Sequence, residues 1–280
     1  MRALRLPVRG LELNALVRGE GPLTVLLHGW LDHARSFDAL APLLPGRTIA
    51  LDHRGHGDSS WGPEAAFYHL VEYVADLDGA LAVINAASDG PVRIVGHSMG
   101  AIIGLLYAAA RPDRVSHVTM IDGAPFIVTP PEVPDRISSW LEDLRGSRKR
   151  RLVASFEDAE ERLRRFNPQL PPAAAALLAR GGVSADPAQG GQLAWKWDPL
   201  LRGHSPLPFT ESILRALFAR VQCPVLLVRA DRGMLPEEAE VKRRLDTVRG
   251  LQVVSAPGGH HVHLESPEEV ARLITAAWPG

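Results

Sequence analysis

Residues 92–110 read VRIVGHSMGAIIGLLYAAA, and in this chain of 280 residues they give the strongest indication of the fold. A short apolar strand stops at Gly-x-Ser-x-Gly and passes directly into an apolar, alanine-rich helix, which Arg111-Pro112 ends. Such a turn holds its serine in strained dihedrals, so the hydroxyl of Ser98 stands clear of the sheet. Glycines at positions 96 and 100 let the two arms of the bend approach closely. The sequence therefore predicts a nucleophile elbow with Ser98 at its apex.

The composition is that of an ordinary globular protein. Apolar residues make up 46% of the chain and charged residues 22%, and the formal net charge is -1. This length suits one α/β domain that carries an insertion. The balanced charge gives no reason to expect nucleic acid or an anionic membrane as a partner.

The N-terminal residues and the cysteine count bear on the compartment. Residues 1–7 lack the apolar region of a signal peptide, and no run reaches the roughly 18 apolar residues of a membrane helix. We therefore expect a soluble cytoplasmic protein, monomeric or homodimeric. Cys223 is the single cysteine, so an intrachain disulfide is impossible and a thiol-rich metal site is excluded. Its place before an apolar strand predicts a buried packing residue.

Apolar runs alternate with amphipathic stretches along most of the chain. Strands are predicted at 4–8, 11–17, 24–27, 48–51, 92–95, 115–121, 224–228 and 251–254, the first two as an antiparallel hairpin. Helices are predicted at 34–44, 68–87, 99–110, 211–220 and 267–278, the last with Ser266 as its N-cap. This alternation predicts the α/β class, with a mostly parallel sheet covered by helices on both faces.

Residues 126–209 break this pattern. They contain proline clusters, helical stretches and a basic run from Arg145 to Arg151, without a convincing strand. We expect them to form a helical cap inserted into a core of residues 1–125 and 210–280. The basic run is interpreted as a solvated part of the cap, and binding of an anionic substrate such as an acyl thioester is the alternative.

Four blocks occur in an informative order. They are His28-Gly29-Trp30, Asp52-x-Arg54-Gly55-x-Gly57-x-Ser59, Gly96-His97-Ser98-Met99-Gly100, and Gly259-His260 followed by Glu265-x-Pro267. With these blocks the chain resembles the α/β-hydrolase superfamily over almost its full length except the insertion. Within it, the chain is most similar to cap-bearing serine hydrolases, including the serine-hydrolase-like group. The resemblance implies an α/β-hydrolase fold with a helical cap and a hydrolase without a metal or other cofactor.

The resemblance also bears on the catalytic base, which covalent hydrolysis needs to take the proton of the nucleophile. The chain has eleven histidines, and in this fold the base comes last in the chain. His260, His261 and His263 lie in a glycine-rich stretch after the last strand. The spacing to Glu265-x-Pro267 in similar sequences selects His260, with His261 as the next candidate. His97 is interpreted as a packing or hydrogen-bonding residue beside the elbow, without a catalytic role.

The sequence offers two candidates for the carboxylate that would orient the base. Similar enzymes carry an aspartate where this chain has Gly233. Asp122 closes the strand after the elbow helix, a position that some members of the superfamily use, and is our preferred candidate. Asp231 lies in the usual loop but two residues early, and is the alternative. A third interpretation is that Asp122 has only a structural role in the turn.

Oxyanion donors and pocket residues complete the predicted site. The backbone amides of Trp30 and Met99 are the expected donors to the oxyanion. Trp30 and aromatic residues of the cap could line an apolar pocket, with core packing as the alternative: Trp140, Phe156, Phe166, Trp195 and Trp197. Structural rather than catalytic roles are assigned to His28, Asp52, Arg54 and Ser59.

Together these features predict a carboxylesterase-like serine hydrolase. Ser98 would form an acyl-enzyme with a small ester-like substrate that has an apolar acyl or aromatic group. A serine at the elbow argues against dehalogenase and epoxide hydrolase chemistry, in which a carboxylate attacks carbon. Hydrolysis of a carbon-carbon bond, a lactone or a thioester is an alternative. So is a catalytically silent ligand-binding protein, which the missing aspartate at position 233 supports.

Overall fold

A large sheet organises the protein. The structure is a computed structural model that describes residues 2–63, 67–84, 90–125, 127–146, 148–203, 205 and 209–278. Its strands are β1 (Arg2–Val8), β2 (Leu11–Arg18), β3 (Leu23–Leu27), β4 (Arg47–Leu51), β5 (Val92–His97), β6 (Val115–Ile121), β7 (Val183–Asp186), β8 (Gln192–Trp195), β9 (Val225–Ala230) and β10 (Leu251–Ala256). Its helices are α1 (Leu70–Val83), α2 (Met99–Ala110), α3 (Val133–Asp143), α4 (Phe156–Phe166), α5 (Pro172–Gly182), α6 (Glu211–Phe218), α7 (Glu238–Arg244), α8 (Val262–Glu265) and α9 (Pro267–Ala277).

The strand order explains where a site can form. Eight strands form one sheet in the order β1-β2-β4-β3-β5-β6-β9-β10. β2 is antiparallel to β1 and β4, and the other neighbours are parallel, which confirms the predicted hairpin and mostly parallel sheet. From β3 the chain turns outward to β4, whereas β5 lies on the other side of β3. Such a reversal opens a crevice at the carboxyl ends of the strands.

Both faces of the sheet are covered, as predicted. Side chains alternate along β3, so Val25 and Leu27 pack in one apolar cluster and Leu26 packs in another. The first cluster includes residues of α1, α2 and α6, and the second includes residues of α9. The buried strands therefore hold two helical layers in place on opposite faces.

Two helix predictions need correction. Residues 34–44 form two 3-10 turns, Ala34–Phe37 and Ala41–Leu43, instead of one helix. Pro42 lies at the start of the second turn and cannot donate the hydrogen bond that a continuous helix requires there. Helix α1 ends at Val83, and residues 85–87 of the predicted helix lie outside the described residues. Helix α7 was not predicted because Val241 is its one buried residue, which leaves almost no apolar periodicity.

Helix α9 begins at Pro267 as predicted, but Ser266 does not cap it through its side chain. The Ser266 hydroxyl instead donates a 2.7 Å hydrogen bond to the carbonyl of Pro257. The short helix α8 ends at Glu265, so Ser266 lies between the end of α8 and the start of α9. The serine therefore joins α9 to the loop that follows β10.

We call residues 127–209, which link β6 to α6, the connecting segment. It contains α3, α4 and α5, and also an antiparallel hairpin of β7 and β8. The expectation of a purely helical region was therefore wrong, since strands of four residues show too little alternation to be recognised. Phe126, the first residue of the predicted insertion, lies outside the described residues.

Two arginines of the basic run make internal contacts, whereas Arg145, Lys149 and Arg151 are exposed. Arg148 donates to the buried carboxylate of Asp198 at 3.0 Å and to the carbonyl of Gly62 at 2.6 Å. Tyr68 donates to the same carboxylate at 2.5 Å. Arg150 donates to the carbonyl of Trp195 at 2.8 Å. The interpretation as a solvated run was therefore wrong for these two arginines; Ser147 lies outside the described residues.

Three buried histidines lie beneath the loops after β3 and β4. His28 accepts a 3.0 Å hydrogen bond at Nε2 from the amide of His53, and its Nδ1 donates to the carbonyl of Gly29 at 2.7 Å. The His28 ring lies 4.4 Å from that of His53 and 5.0 Å from that of His56. Burial lowers the pKa of His53 to about 3 and holds the pKa values of His28 and His56 well below 6.5. These side chains are neutral in the folded protein and tie the two loops together.

We predict that acid destabilises the protein through this cluster. In the unfolded chain these histidines become protonated as the pH falls below about 6.5, whereas in the folded chain they stay neutral. The free energy of unfolding therefore decreases as the pH falls below about 6.5. Each histidine contributes a loss of up to about 2 kcal/mol in the free energy of unfolding at pH 5. Urea unfolding at pH 8 and pH 5 measures the loss, and His53→Gln, which cannot titrate, should reduce it by one histidine's share. An equal loss in both proteins would contradict the prediction.

Candidate active site

The predicted strand-turn-helix bend is present at Ser98. This residue follows β5 and precedes α2, with φ 51° and ψ -115°. A Cβ atom at Gly96 would lie 2.3 Å from the backbone of Gly100, and one at Gly100 would lie 2.0 Å from the carbonyl oxygen of Leu27. Both glycines are therefore required by close backbone contact. The half-buried Ser98 is held in a strained conformation at the crevice between β3 and β5.

His260 and Asp122 form a direct hydrogen bond. His260 lies in the loop after β10 and donates from Nδ1 to Oδ2 of Asp122 over 2.7 Å. The Asp122 side chain is fully buried at the end of β6, and this residue has a φ of 40°. Its carboxylate also accepts hydrogen bonds from the amides of Met234 at 3.0 Å and Ala230 at 3.2 Å. With Nδ1 engaged, a neutral His260 presents the lone pair of Nε2 on the opposite side of its ring.

The Asp122 carboxylate fills the space beside Gly233. A Cβ atom at position 233 would lie 2.3 Å from Oδ1 of Asp122. A side chain at position 233 and the observed carboxylate therefore exclude each other. This packing accounts for the glycine at the position where similar enzymes carry an aspartate.

Asp231 makes different contacts. Its Oδ1 accepts a 2.8 Å hydrogen bond from the amide of Gly258, and the half-exposed carboxylate pairs with Arg232 at 3.3 Å. These bonds join the loop after β9 to the loop that carries His260. Of the two candidate aspartates, the structure brings Asp122 to the imidazole of His260 and engages Asp231 with the backbone nearby.

Met99 directly follows Ser98, and Gly29, the residue before Trp30, lies beside the serine. Met99 is the first residue of α2, where the positive end of the helix dipole favours negative charge. On the other side, a Cβ atom at Gly29 would lie 3.3 Å from Cβ of Ser98, so the chain entering Trp30 passes directly beside the serine. Leu31 follows with a φ of 59°. The residues with strained backbone around Ser98 thus belong to the loops after β3, β5 and β6.

Comparison with known proteins agrees with this architecture. The model of the alpha/beta hydrolase family matches residues 24–273. The chain belongs to the alpha/beta hydrolase family. This chain is 31% identical to the serine hydrolase-like protein of Danio rerio, over 97% of this chain and 86% of the relative. It is also 31% identical to 2-(acetamidomethylene)succinate hydrolase of Mesorhizobium japonicum, over 97% and 93% of the respective chains.

Solved structures agree with this placement. A hypothetical protein from Pseudomonas aeruginosa PAO1 is similar with a TM-score of 0.88 and 34% identity, over 99% of both chains. A thioesterase domain from the curacin biosynthetic pathway is similar with a TM-score of 0.85 and 25% identity, also over 99% of both chains. Within the described ranges of this hydrolase, no helix has the length and apolar character that a bilayer crossing requires.

The aromatic residues predicted to line a pocket occupy different places in the hydrolase. Trp195 and Trp197 are only 7% and 6% exposed, and they pack in the main apolar cluster with their rings 6.2 Å apart. Phe166 is 63% exposed, and Phe156 is half-buried against the core. Trp140 borders a small cavity with Phe67 and Leu144. Trp195 and Trp197 therefore follow the alternative interpretation as core residues.

Trp30 spans the gap to the connecting segment. Its indole donates a 2.8 Å hydrogen bond to the carbonyl of Leu201, and 43% of its surface remains exposed. The segment also reaches the other side of the site, where Asn167 donates to Nδ1 of His261 over 3.1 Å. The connecting segment therefore contacts the loops on both sides of Ser98.

Two residues that position the His260 loop were not assigned this role from the sequence. Glu265 accepts a 2.7 Å hydrogen bond from the amide of Gly259, directly before His260. His97 donates from Nε2 to the carbonyl of His260 over 2.8 Å. The Glu265-x-Pro267 spacing was the available signal for the first contact. The second joins the residue before Ser98 to the backbone of His260 and depends on the fold.

We predict that Gly233→Ala destabilises the hydrolase by about 1–3 kcal/mol, because the added methyl group must displace the Asp122 carboxylate. Chemical unfolding measures this cost. Gly182→Ala is the matched control, since its Cβ atom would have no neighbour closer than 3.4 Å. In an Asp122→Ala background the cost of Gly233→Ala should largely vanish. Equal costs in the two backgrounds would show that another contact is responsible.

Proposed function

We propose that this hydrolase is a serine hydrolase that cleaves an ester-like bond through an acyl-enzyme on Ser98. The observation that carries the proposal is the 2.7 Å hydrogen bond from His260 to the buried Asp122, at the same sheet edge as the bend at Ser98. A nucleophile, a base and an orienting carboxylate are the parts that acyl transfer requires. The names of the relatives support hydrolysis in general.

In the proposed reaction, the Ser98 hydroxyl attacks the substrate carbonyl while Nε2 of His260 takes its proton. Asp122 keeps the imidazole oriented and stabilises the imidazolium that forms. The amides of Met99 and Trp30 donate to the oxyanion of the tetrahedral intermediate. His260 then protonates the leaving group, and the acyl group stays on Ser98. Water, deprotonated by His260, attacks the acyl-enzyme and releases the acid and the free serine.

We propose that the connecting segment acts as a cap over this site and contributes to substrate selection. Its contacts with Trp30 and His261 support this role. Trp30 and Trp140 are the aromatic residues that we retain as substrate contacts, because both keep surface outside the core. They favour a small substrate with an apolar acyl or aromatic group. We further propose a cytoplasmic enzyme, monomeric or homodimeric.

Thioester hydrolysis is the second candidate. The similarity to a thioesterase domain extends over 99% of this chain at 25% identity and favours it over lactone or carbon-carbon bond hydrolysis. A silent ligand-binding protein was suggested by the missing aspartate at position 233. That suggestion loses its support because the Asp122 carboxylate lies in the same space and bonds to His260.

The nucleophile can be tested by covalent labelling. We expect a fluorophosphonate probe to label the wild-type protein and not Ser98→Ala, since the probe reacts with an activated serine. Hydrolysis of p-nitrophenyl acetate should fall by at least about 1000-fold in the same variant. Ser60→Ala, in the loop after β4, is the control and should keep its labelling. An unlabelled wild-type protein would favour the silent binder.

The acid can be tested by paired amide substitutions. Asp122→Asn should lower kcat/KM by about 10,000-fold, because an amide cannot stabilise the imidazolium and favours the wrong tautomer. Asp231→Asn should change kcat/KM by only a few-fold, since Asp231 bonds to the Gly258 amide. Circular dichroism of both variants checks their folding. Full activity of Asp122→Asn would remove this residue from the mechanism.

A further inference from the structure

A second group of side chains lies behind the residues of the proposed reaction. Asp32, His97 and His261 each bring one potential ligand atom to a common point, and these atoms all lie within 4.8 Å of one another. They come from the loop after β3, the end of β5 and the loop after β10. The proposed reaction uses none of the three side chains.

Asp32 and His97 point unused lone pairs into the protein. Asp32 is 8% exposed; its Oδ1 accepts a 2.8 Å hydrogen bond from the amide of His33, and its buried Oδ2 has no partner among the described residues. His97 is 1% exposed, and its Nε2 must carry the proton because it donates to the carbonyl of His260. Nδ1 of the neutral ring then holds a lone pair, and it also lacks a partner among the described residues.

The third side chain can adopt the same state. Asn167 lies 3.1 Å from Nδ1 of His261, which leaves Nε2 on the other side of the ring. In the observed orientation the Asn167 amide donates to Nδ1, and its oxygen accepts a 3.3 Å hydrogen bond from the amide of Gln169. Binding of an ion at Nε2 requires this amide to flip, so that its oxygen accepts from Nδ1–H and the bond to Gln169 is given up. This is the second contact that metal-binding histidines usually make. His97 makes the corresponding contact through the carbonyl of His260.

Histidines also surround the group. The buried His263 ring lies 4.3 Å from that of His97, and neither of its nitrogens has a partner in the described part of the chain. Buried polar atoms without partners are rare in native proteins, and several of them converge here.

We propose that Asp32, His97 and His261 bind one divalent transition-metal ion of the Zn²⁺ class. Two imidazoles and a carboxylate are a ligand set that suits Zn²⁺. Ligand atoms about 2.1 Å from a tetrahedral ion lie about 3.4 Å apart, so the widest pair of atoms has to close by at most about 1.4 Å. His97 belongs to β5 and is held by its bond to the carbonyl of His260, so the closure would come from Asp32 and His261 in their loops.

The ion would link three elements of the site without taking part in bond cleavage. His97 is adjacent to Ser98 in sequence, His261 is adjacent to His260, and Asp32 follows Trp30 by two residues. Fixing all three side chains to one ion restrains the loops on which the nucleophile, the base and one oxyanion donor are carried. The site therefore stabilises the folded protein whether or not the proposed reaction is correct.

Metal binding is measured on the full-length protein after removal of metals with dipicolinate. We expect Co²⁺ to bind with a stoichiometry of one and to give visible absorption bands typical of a four- or five-coordinate ion, and Zn²⁺ to displace it. A Zn²⁺ concentration of 100 times Kd should raise Tm by about 5–10 °C. Asp32→Asn and His261→Gln should each weaken binding by at least about 100-fold.

Asp113→Asn, which changes an exposed carboxylate outside the group, should bind Co²⁺ like the wild type. Wild-type protein that binds no Co²⁺ at 1:1 stoichiometry would overturn the proposal. Equal affinity in folded Asp32→Asn or His261→Gln would also overturn it, because the ion would then be held by other histidines. If Asp32→Asn does not fold, the His261→Gln affinity and the wild-type Co²⁺ spectrum decide the question.

Discussion

The close contact between the start of α2 and the end of β3 is the constraint on which the site depends. Without a side chain at Gly100, the helix meets the backbone of Leu27 directly, and Ser98 is forced to a φ of 51°. The same contact brings the loop at Gly29 beside the serine. Close backbone contacts therefore fix the proposed nucleophile between the start of α2 and the loop after β3.

The acidic position shows how a side-chain function can move between strands. Asp122 follows β6, Gly233 lies just after β9, and these two strands are parallel neighbours. A Cβ atom at position 233 would lie 2.3 Å from Oδ1 of Asp122, so position 233 has no room for a side chain while the Asp122 carboxylate lies there. The amides of Ala230 and Met234, on the β9 side, still bond to the carboxylate that comes from the β6 side.

Buried charge holds the connecting segment over the sheet. Asp198 is fully buried and receives hydrogen bonds from Tyr68 of the core and from Arg148 of its own segment. Such a pair contributes little net stability, but the loss of one partner leaves an uncompensated buried charge. The segment is thus restricted to one docking position, which also fixes the contacts of Leu201 with Trp30 and of Asn167 with His261.

The amino-acid sequence by itself determined the parallel sheet, the bend at Ser98 and the residues near His260, because strand alternation, helical periodicity and glycine turns are local properties. Folding decided the rest. Only tertiary packing turned Trp195 inward and Arg148 toward Asp198. The contact between His260 and Asp122 joins residues 138 positions apart. The periodicity of the sequence cannot predict a contact between residues so far apart in the chain, since the contact depends on how β6, β9 and β10 align in the sheet.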